Sequence, residues 1–145
     1  MAITLDEVLA LGERWCDTLR REDGGGIAER KAMFLHPEPR IYVQHQGLSM
    51  TLDEHGAYHT QFRRQVLRLG DFVVTPLGEA PDRARAIGTF YWEGHFKDEK
   101  QPPLRCVVGE DWLVQRDADG VVKYVLWLNT IHHFLADSSV QKIEL

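Results

Sequence analysis

Arg105–Leu113, RCVVGEDWL, and Val121–Phe134, VVKYVLWLNTIHHF, flank the turn segment Gln115–Gly120, QRDADG. Two apolar-rich runs around an Asp-Gly turn predict a β-hairpin. In the second run, strict alternation puts Val125, Trp127 and Asn129 on one face and Tyr124, Leu126 and Leu128 on the other. Both faces are largely apolar, so both need a cover. The chain's own helices supply one, and a second copy of the chain is expected to supply the other.

Upstream, Thr4 with Glu7 has the spacing of a capping box. Leu5, Val8, Leu9, Leu11, Trp15, Cys16 and Leu19 then recur at helical spacing, and Asp23 with Gly24-Gly25-Gly26 ends the helix. Ile27–Phe34 reads as a short second helix, stopped ahead of Pro37 and Pro39. Arg40–Gln46, RIYVQHQ, alternates as a first strand that Gly47 ends. A third helix is predicted from Thr51 or Asp53 to about Leu69, with Tyr58, Phe62, Val66 and Leu69 as its apolar stripe, Arg63, Arg64 and Arg68 on its wet side, and Gly70 closing it. Phe72–Leu77 and Arg83–Phe96 then read as strands, with Lys97–Pro103 as the turn into the hairpin. Three helices first and an antiparallel four-strand meander afterwards is an α+β pattern. A long curved, mostly antiparallel sheet folded over the helices leaves a conical cavity.

The chain has 145 residues, and one domain spanning 1–145 is expected. A formal charge of −5 argues against nucleic acid as the main partner, because phosphate binding needs clustered Lys and Arg. The first helix carries Asp6, Glu7, Glu13 and Arg14 within its apolar run, so it reads as neither a signal peptide nor a membrane span. Cys16 and Cys106 are isolated, without metal spacing, and read as buried reduced thiols of a cytoplasmic protein. The glycine run follows no strand and precedes no Lys-Ser/Thr, so it is no phosphate cradle.

The element order, the first helix ending in an acidic-Gly turn, the strand at Arg40–Gly47 and the hairpin with Asp117-Ala118-Asp119-Gly120 resemble the nuclear transport factor 2-like (NTF2-like) superfamily of cystatin-like cones. Within it, the chain is similar to the SnoaL-like and ketosteroid-isomerase-like small-molecule enzymes. The likeness covers essentially the whole chain. It implies cavity residues at Trp15 on the first helix, Tyr42 and Gln44 on the first strand, Glu110, Trp112 and Val114 on the penultimate strand, and Val125, Trp127 and Asn129 on the last. It also implies departures. Gln44 stands where an isomerase has its base and Trp112 where it has its acid, both Asp in that family. Trp127 stands where limonene-type epoxide hydrolases have an Asp. Scytalone-dehydratase-like enzymes use a His–Asp pair; Asp23 can be placed there, but Phe72–Leu77 offers no histidine. A fold of this kind hosts many chemistries, so function must come from the site.

Several groups can do that chemistry. Glu110 shares a face with Trp112 and Val114; a carboxylate among tryptophans is desolvated and suits a general acid or base, unless a one-residue slip turns it outward. Continued alternation points His133 inward and His132 outward. Tyr42 or Asn129 can donate to a developing oxyanion. Gln44 can orient a carbonyl but cannot act as a base. His55 and His59 have i, i+4 spacing, which can hold a metal, yet HGAYH comes with no third ligand and no metal is expected. His59 or Tyr58 can reach the cavity mouth. Trp15, Phe90, Trp92, Trp112 and Trp127 would line the cavity, with small Ala86 and Gly88 leaving room for a flat hydrophobic, aromatic or polycyclic molecule. The expectation is a cofactor-independent enzyme performing isomerisation, cyclisation, dehydration or C–C cleavage, with Glu110 or His133 as base and Tyr42 or Asn129 as donor. The alternative is a non-catalytic binding or assembly module, such as the small subunit of a ring dioxygenase. Either way, a homodimer through the outer face of the sheet is expected, with neither nucleic acid nor membrane as partner.

Overall fold

The structure, a computed structural model, describes residues 1–21 and 26–145. Helix α1 spans Leu5–Leu19 and α2 Ile27–Ala32; strands β1 (Arg40–Val43) and β2 (Leu48–Thr51) precede α3 (Leu52–His59), and β3 (Phe62–Leu77), β4 (Ala80–Phe96), β5 (Leu104–Arg116) and β6 (Val122–Phe134) follow. The six strands form one sheet in the order β2-β1-β6-β5-β4-β3. β1 runs parallel to β6 and every other pairing is antiparallel. The expected α+β cone with its four-strand meander is present. Asp23, Gly24 and Gly25 lie outside the described residues. Among the described residues, no helix is long and apolar enough to cross a membrane. Cys16 and Cys106 are buried free thiols, each pushed up to about 12 by burial.

Local chemistry sets the element starts. Thr4 Oγ1 accepts the Glu7 N–H while the Glu7 carboxylate takes the Thr4 N–H, and Thr51 with Glu54 repeats this device at α3. At the hairpin, Asp117 Oδ1 accepts the N–H groups of Asp119 and Val121, and Gly120 takes φ 81°.

Two elements differ from expectation. The strand at Arg40 ends at Val43; Gln44–Gln46 wind into a 3₁₀ turn, Gly47 reverses the chain at φ 63°, and the chain returns as β2, which the sequence did not announce. The third helix stops at His59, and Phe62–Leu69 belongs to β3. Register shifts at Phe62/Arg64 and Leu69/Phe72 break the alternation of this strand, so Phe62, Gln65, Leu67 and Phe72 all turn inward at irregular spacing that imitates a helical stripe. Arg63, Arg64 and Arg68 are exposed on this edge strand, where charge discourages pairing with another chain.

Strand β6 carries two bulges, which decide its faces. Tyr124 pairs with Val114 and Leu126 with Leu113, leaving Val125 extra; Asn129 pairs with Glu110 and Ile131 with Gly109, leaving Thr130 extra. Tyr124, Trp127 and Asn129 therefore point inward, while Val125, Leu126 and Ile131 are exposed. Val125 is thus corrected to the outer face and Tyr124 to the inner.

Trp15 stacks on Trp127 at 4.2 Å between centroids, and Trp112 lies against Trp127 at 4.7 Å and Phe72 at 4.7 Å. The room expected beside Gly88 is occupied by the Phe72 ring: a Cβ on Gly88 would meet Phe72 Cγ at 2.4 Å. Phe62 covers Gly94 in the same way. These aromatics fill most of the cone.

Candidate active site

What remains open is a cavity of about 40 Å³ between α1, α3 and the inner face of the sheet. That is room for about two or three water molecules and well short of the several hundred Å³ of a typical ligand pocket. Its wall includes Trp15, Trp92, Trp127, Asn129 and three histidines, His55, His59 and His132.

The histidines come from two elements. Buried positions of α3 are Leu52, His55, Gly56 and His59, the i, i+3, i+4, i+7 face of one helix. This spacing is legible in the sequence and marks both histidines as core-facing rather than surface residues. Gly56 allows the close approach of α2, since a Cβ there would meet Ile27 Cδ1 at 2.5 Å. His132 comes from β6, turned inward by the bulge at Thr130; it pairs with inward Val108, and His133 pairs with Val107 and is exposed. The expected inward residue His133 is therefore replaced by His132.

The three rings are linked to their surroundings unequally. His59 Nδ1 lies 2.7 Å from Gln65 Oε1, and His59 Nε2 lies 3.1 Å from His55 Nε2. His55 Nδ1 and His132 Nδ1 are buried without a hydrogen-bond partner. Burial pushes His59 down to about 3 and His132 to about 4, the latter with help from the charge of His45. Burial also drives His55 well below the usual imidazole range, followed by repulsion from His59 when that ring is protonated, from the Arg30 cation, and from His132 when that ring is protonated. All three are neutral at pH 7. Arg30, fully buried, donates from Nη1 to Thr18 Oγ1 and lies 5.8 Å over the Trp15 ring. Burial lowers it to about 10, so it stays cationic and adds to the field against imidazolium.

The other sequence candidates sort by depth. Trp15, Phe90, Trp92, Trp127, Asn129 and His59 line the cavity. Trp112 and Glu110 point inward but lie below its floor, both fully buried. Glu110 Oε1 accepts Asn129 Nδ2 at 2.8 Å and Oε2 accepts Trp112 Nε1 at 2.7 Å. Burial pushes this carboxyl well above its ordinary range, against the pull of those two N–H groups. Tyr42 and Gln44 do not reach the cavity. They are exposed and border a shallow outer groove with Leu126 and Leu128. The inner phase of β1 belongs to Ile41 and Val43, which pair with Trp127 and Asn129.

The C-terminal tail reaches the cavity through Ile143, which forms part of its wall. Gln46 holds this residue through two bonds: its Nε2 donates to the Ile143 carbonyl at 3.0 Å and its Oε1 accepts the Ile143 N–H at 3.0 Å. Among the described residues, no group of three or more His, Cys, Asp or Glu is arranged to hold a metal ion.

No known family profile matches the chain, and no curated protein matches it. Solved structures do. A protein from Novosphingobium aromaticivorans proposed to be a scytalone dehydratase superposes with a TM-score of 0.69 at 15% identity, over 97% of this chain and 95% of that one. An NTF2-like protein from Cytophaga hutchinsonii gives 0.63 at 12% identity, over 92% and 100%. The CaMKII hub of S. rosetta gives 0.61 at 15% identity, over 90% and 98%. Likeness at such low identity carries architecture and no chemistry, and on that architecture the chain is built on the NTF2-like fold.

Proposed function

We propose that the protein is a cofactor-independent acid–base enzyme acting on a small, mainly apolar molecule by isomerisation, cyclisation, dehydration or C–C cleavage. One observation carries this reading: two buried imidazole nitrogens without partners, His55 Nδ1 and His132 Nδ1, belong to side chains on the wall of an aromatic cavity that also holds the Asn129 amide. An unpaired buried polar atom costs about 1–3 kcal/mol, and a polar group of a bound molecule or water in the cavity would recover that cost. A neutral imidazole here can accept a proton only as a negative charge forms beside it on the substrate, since burial opposes an isolated imidazolium. The second N–H of Asn129 then serves the developing oxyanion, while Glu110 holds that amide in place from below. Substrate enters by displacing Ile143, since a cavity of about 40 Å³ is too small for it.

A thermal-shift screen of steroids, polyketides and lignin-like aryl compounds identifies the ligand class. On the compound that is turned over, His132→Ala lowers kcat/KM by about 10²–10⁴-fold with little change in Tm. Full activity in that variant removes His132 from the site.

A second reading, a binding or assembly module, draws on the small cavity and the apolar outer face of the sheet. The histidine cluster weighs against it, because assembly needs no unpaired polar atoms at the centre of the cone.

Both readings include a homodimer. Ile87, Leu126 and Ile131 are 47%, 38% and 49% exposed on the outer face, and apolar side chains left exposed there are the ones a second copy would cover. Light scattering at micromolar concentration is expected to give a dimer for the native chain and a monomer for Leu126→Glu combined with Ile131→Glu. A native monomer refutes the interface.

A further inference from the structure

We propose that Gln65 is a positioning residue that fixes the tautomers of His59 and His55, leaving His55 Nδ1 as a proton acceptor of the cavity, alongside His132, for a substrate carrying an acidic C–H or O–H group. This deepens the enzyme reading and rests on it for its chemical consequence, but the tautomers follow from geometry alone.

The argument starts at the end of α1. The Leu19 carbonyl is among the last four of the helix and has no partner within it. Gln65 Nε2 donates to it at 3.0 Å. On the other side of the same amide, Trp92 Nε1, which can only donate, points at Gln65 Oε1 at 3.0 Å. A flipped amide would set carbonyl against carbonyl and N–H against N–H, so its orientation is fixed. Gln65 Oε1 therefore faces His59 Nδ1 as an acceptor, and His59 Nδ1 carries the hydrogen. Neutral His59 then has a bare Nε2. The nitrogen facing it, His55 Nε2, must donate and so carries its own hydrogen. Neutral His55 is left with a bare Nδ1, the atom found buried and unpartnered.

Sequence pattern would suggest none of this, since the chain of bonds crosses α1, β3, β4 and α3. Its chemical consequence is directional. When His55 Nδ1 takes a proton, a new N–H bond forms and the bonding pair stays on the substrate as an enolate, carbanion or alkoxide. The imidazolium keeps its Nε2–H directed at the bare His59 Nε2, which stabilises the new cation. The same proton then returns to a different substrate atom, giving isomerisation, or to a leaving hydroxyl, giving water. The site thus selects substrates with a proton to give up next to a group that can hold the negative charge.

The test needs no substrate. Long-range ¹H–¹⁵N correlation of the imidazoles in the ¹⁵N-labelled native protein at pH 7 is expected to show His59 with a protonated Nδ1 and bare Nε2, and His55 with a protonated Nε2 and bare Nδ1. Gln65→Leu is expected to leave the His59 and His55 signals averaged between tautomers. A protonated His55 Nδ1 in the native protein overturns the proposal, whether Nε2 is bare for want of the hydrogen bond or because both Nε2 atoms share a divalent ion. With a substrate in hand, Gln65→Leu lowers kcat by at least about 10-fold with KM nearly unchanged. Correct tautomers with no turnover of any screened compound would sink the enzyme reading and leave the tautomer assignment standing.

Discussion

Acidification from pH 6.5 to pH 4 is expected to strip about 3 kcal/mol of stability through His59 and about the same through His132. An exposed imidazole in the unfolded chain protonates near 6.5, whereas these two, held neutral by burial, do so only at about 3 and about 4. Between those values the unfolded state binds more protons, so stability that is complete above pH 6.5 is lost as pH falls. His55 acts with the same sign. Glu110 acts with the opposite sign. Its folded carboxyl is raised, so its contribution is complete below the unfolded carboxylate value and is lost as pH rises, which offsets part of the histidine loss in this window. Glu7 and Glu93, lowered to about 2 with Arg116 and Arg105 among their hydrogen-bond partners, matter only below about pH 4.3. His59 and His132 together remove about 6 kcal/mol by pH 4, less what Glu110 returns, so a protein at the low end of the usual 5–15 kcal/mol margin is expected to unfold as the pH approaches 4. Urea titrations at pH 6.5 and 5 measure it. His132→Leu should flatten the slope by about 2 kcal/mol over that interval. Parallel pH curves for the native and His132→Leu proteins would mean that His132 is solvated, and the cavity assignment with it would go.

The same buried histidines show where the sequence could be read and where it could not. The fold was legible because its signals are local: the Thr4–Glu7 capping box, the Asp117–Gly120 turn, the alternation of β4 and β5. Faces of β5 followed from parity, so Glu110 and Trp112 are inward as expected. Faces of β6 did not. Parity counts residues, and each bulge adds one that the partner strand does not match. The extra Val125 exchanged the expected faces of Tyr124 and Val125, and the extra Thr130 exchanged His132 with His133. Nothing in VVKYVLWLNTIHHF marks those positions, because a bulge is set by how the whole sheet must curve. On β1 the error was a parity choice: the family likeness put Tyr42 and Gln44 inward, but Ile41 and Val43 hold that phase. His55 was recoverable, since Leu52, His55, Gly56 and His59 share one helical face. Gln65 was not, because its role exists only once β3 has left the helical reading and brought it under Leu19 and Trp92.

Glu110 ties the floor of the site to the packing beneath it, and Trp112 is the residue through which that link can be broken. Its ring lies between Phe72 and Trp127, meets Tyr124 edge-on at 5.2 Å, and reaches α1 at Gly12, where a Cβ would come within 3.1 Å of Trp112 Cη2. Trp112→Ala is expected to cost about 3–5 kcal/mol, the range for deleting a large aromatic from a packed core. Trp112→Phe keeps most of the ring contact but removes the Nε1–H that Glu110 Oε2 accepts, and should cost about 2 kcal/mol. The two variants also differ in what they leave behind. Trp112→Ala leaves a largely apolar hollow under Trp127, and such cavities stay dry and accept benzene-sized molecules, so added benzene should recover part of its lost stability. It should do nothing for Trp112→Phe, whose deficit is an unpaired carboxyl oxygen. Urea melts of both variants with and without benzene separate the packing contribution from the hydrogen bond. A cost below about 1 kcal/mol for Trp112→Ala would mean that the layer beneath the cavity is not closely packed. The burial that raises the Glu110 carboxyl and holds the histidines neutral, and with it the proposed chemistry, would then lose its physical basis.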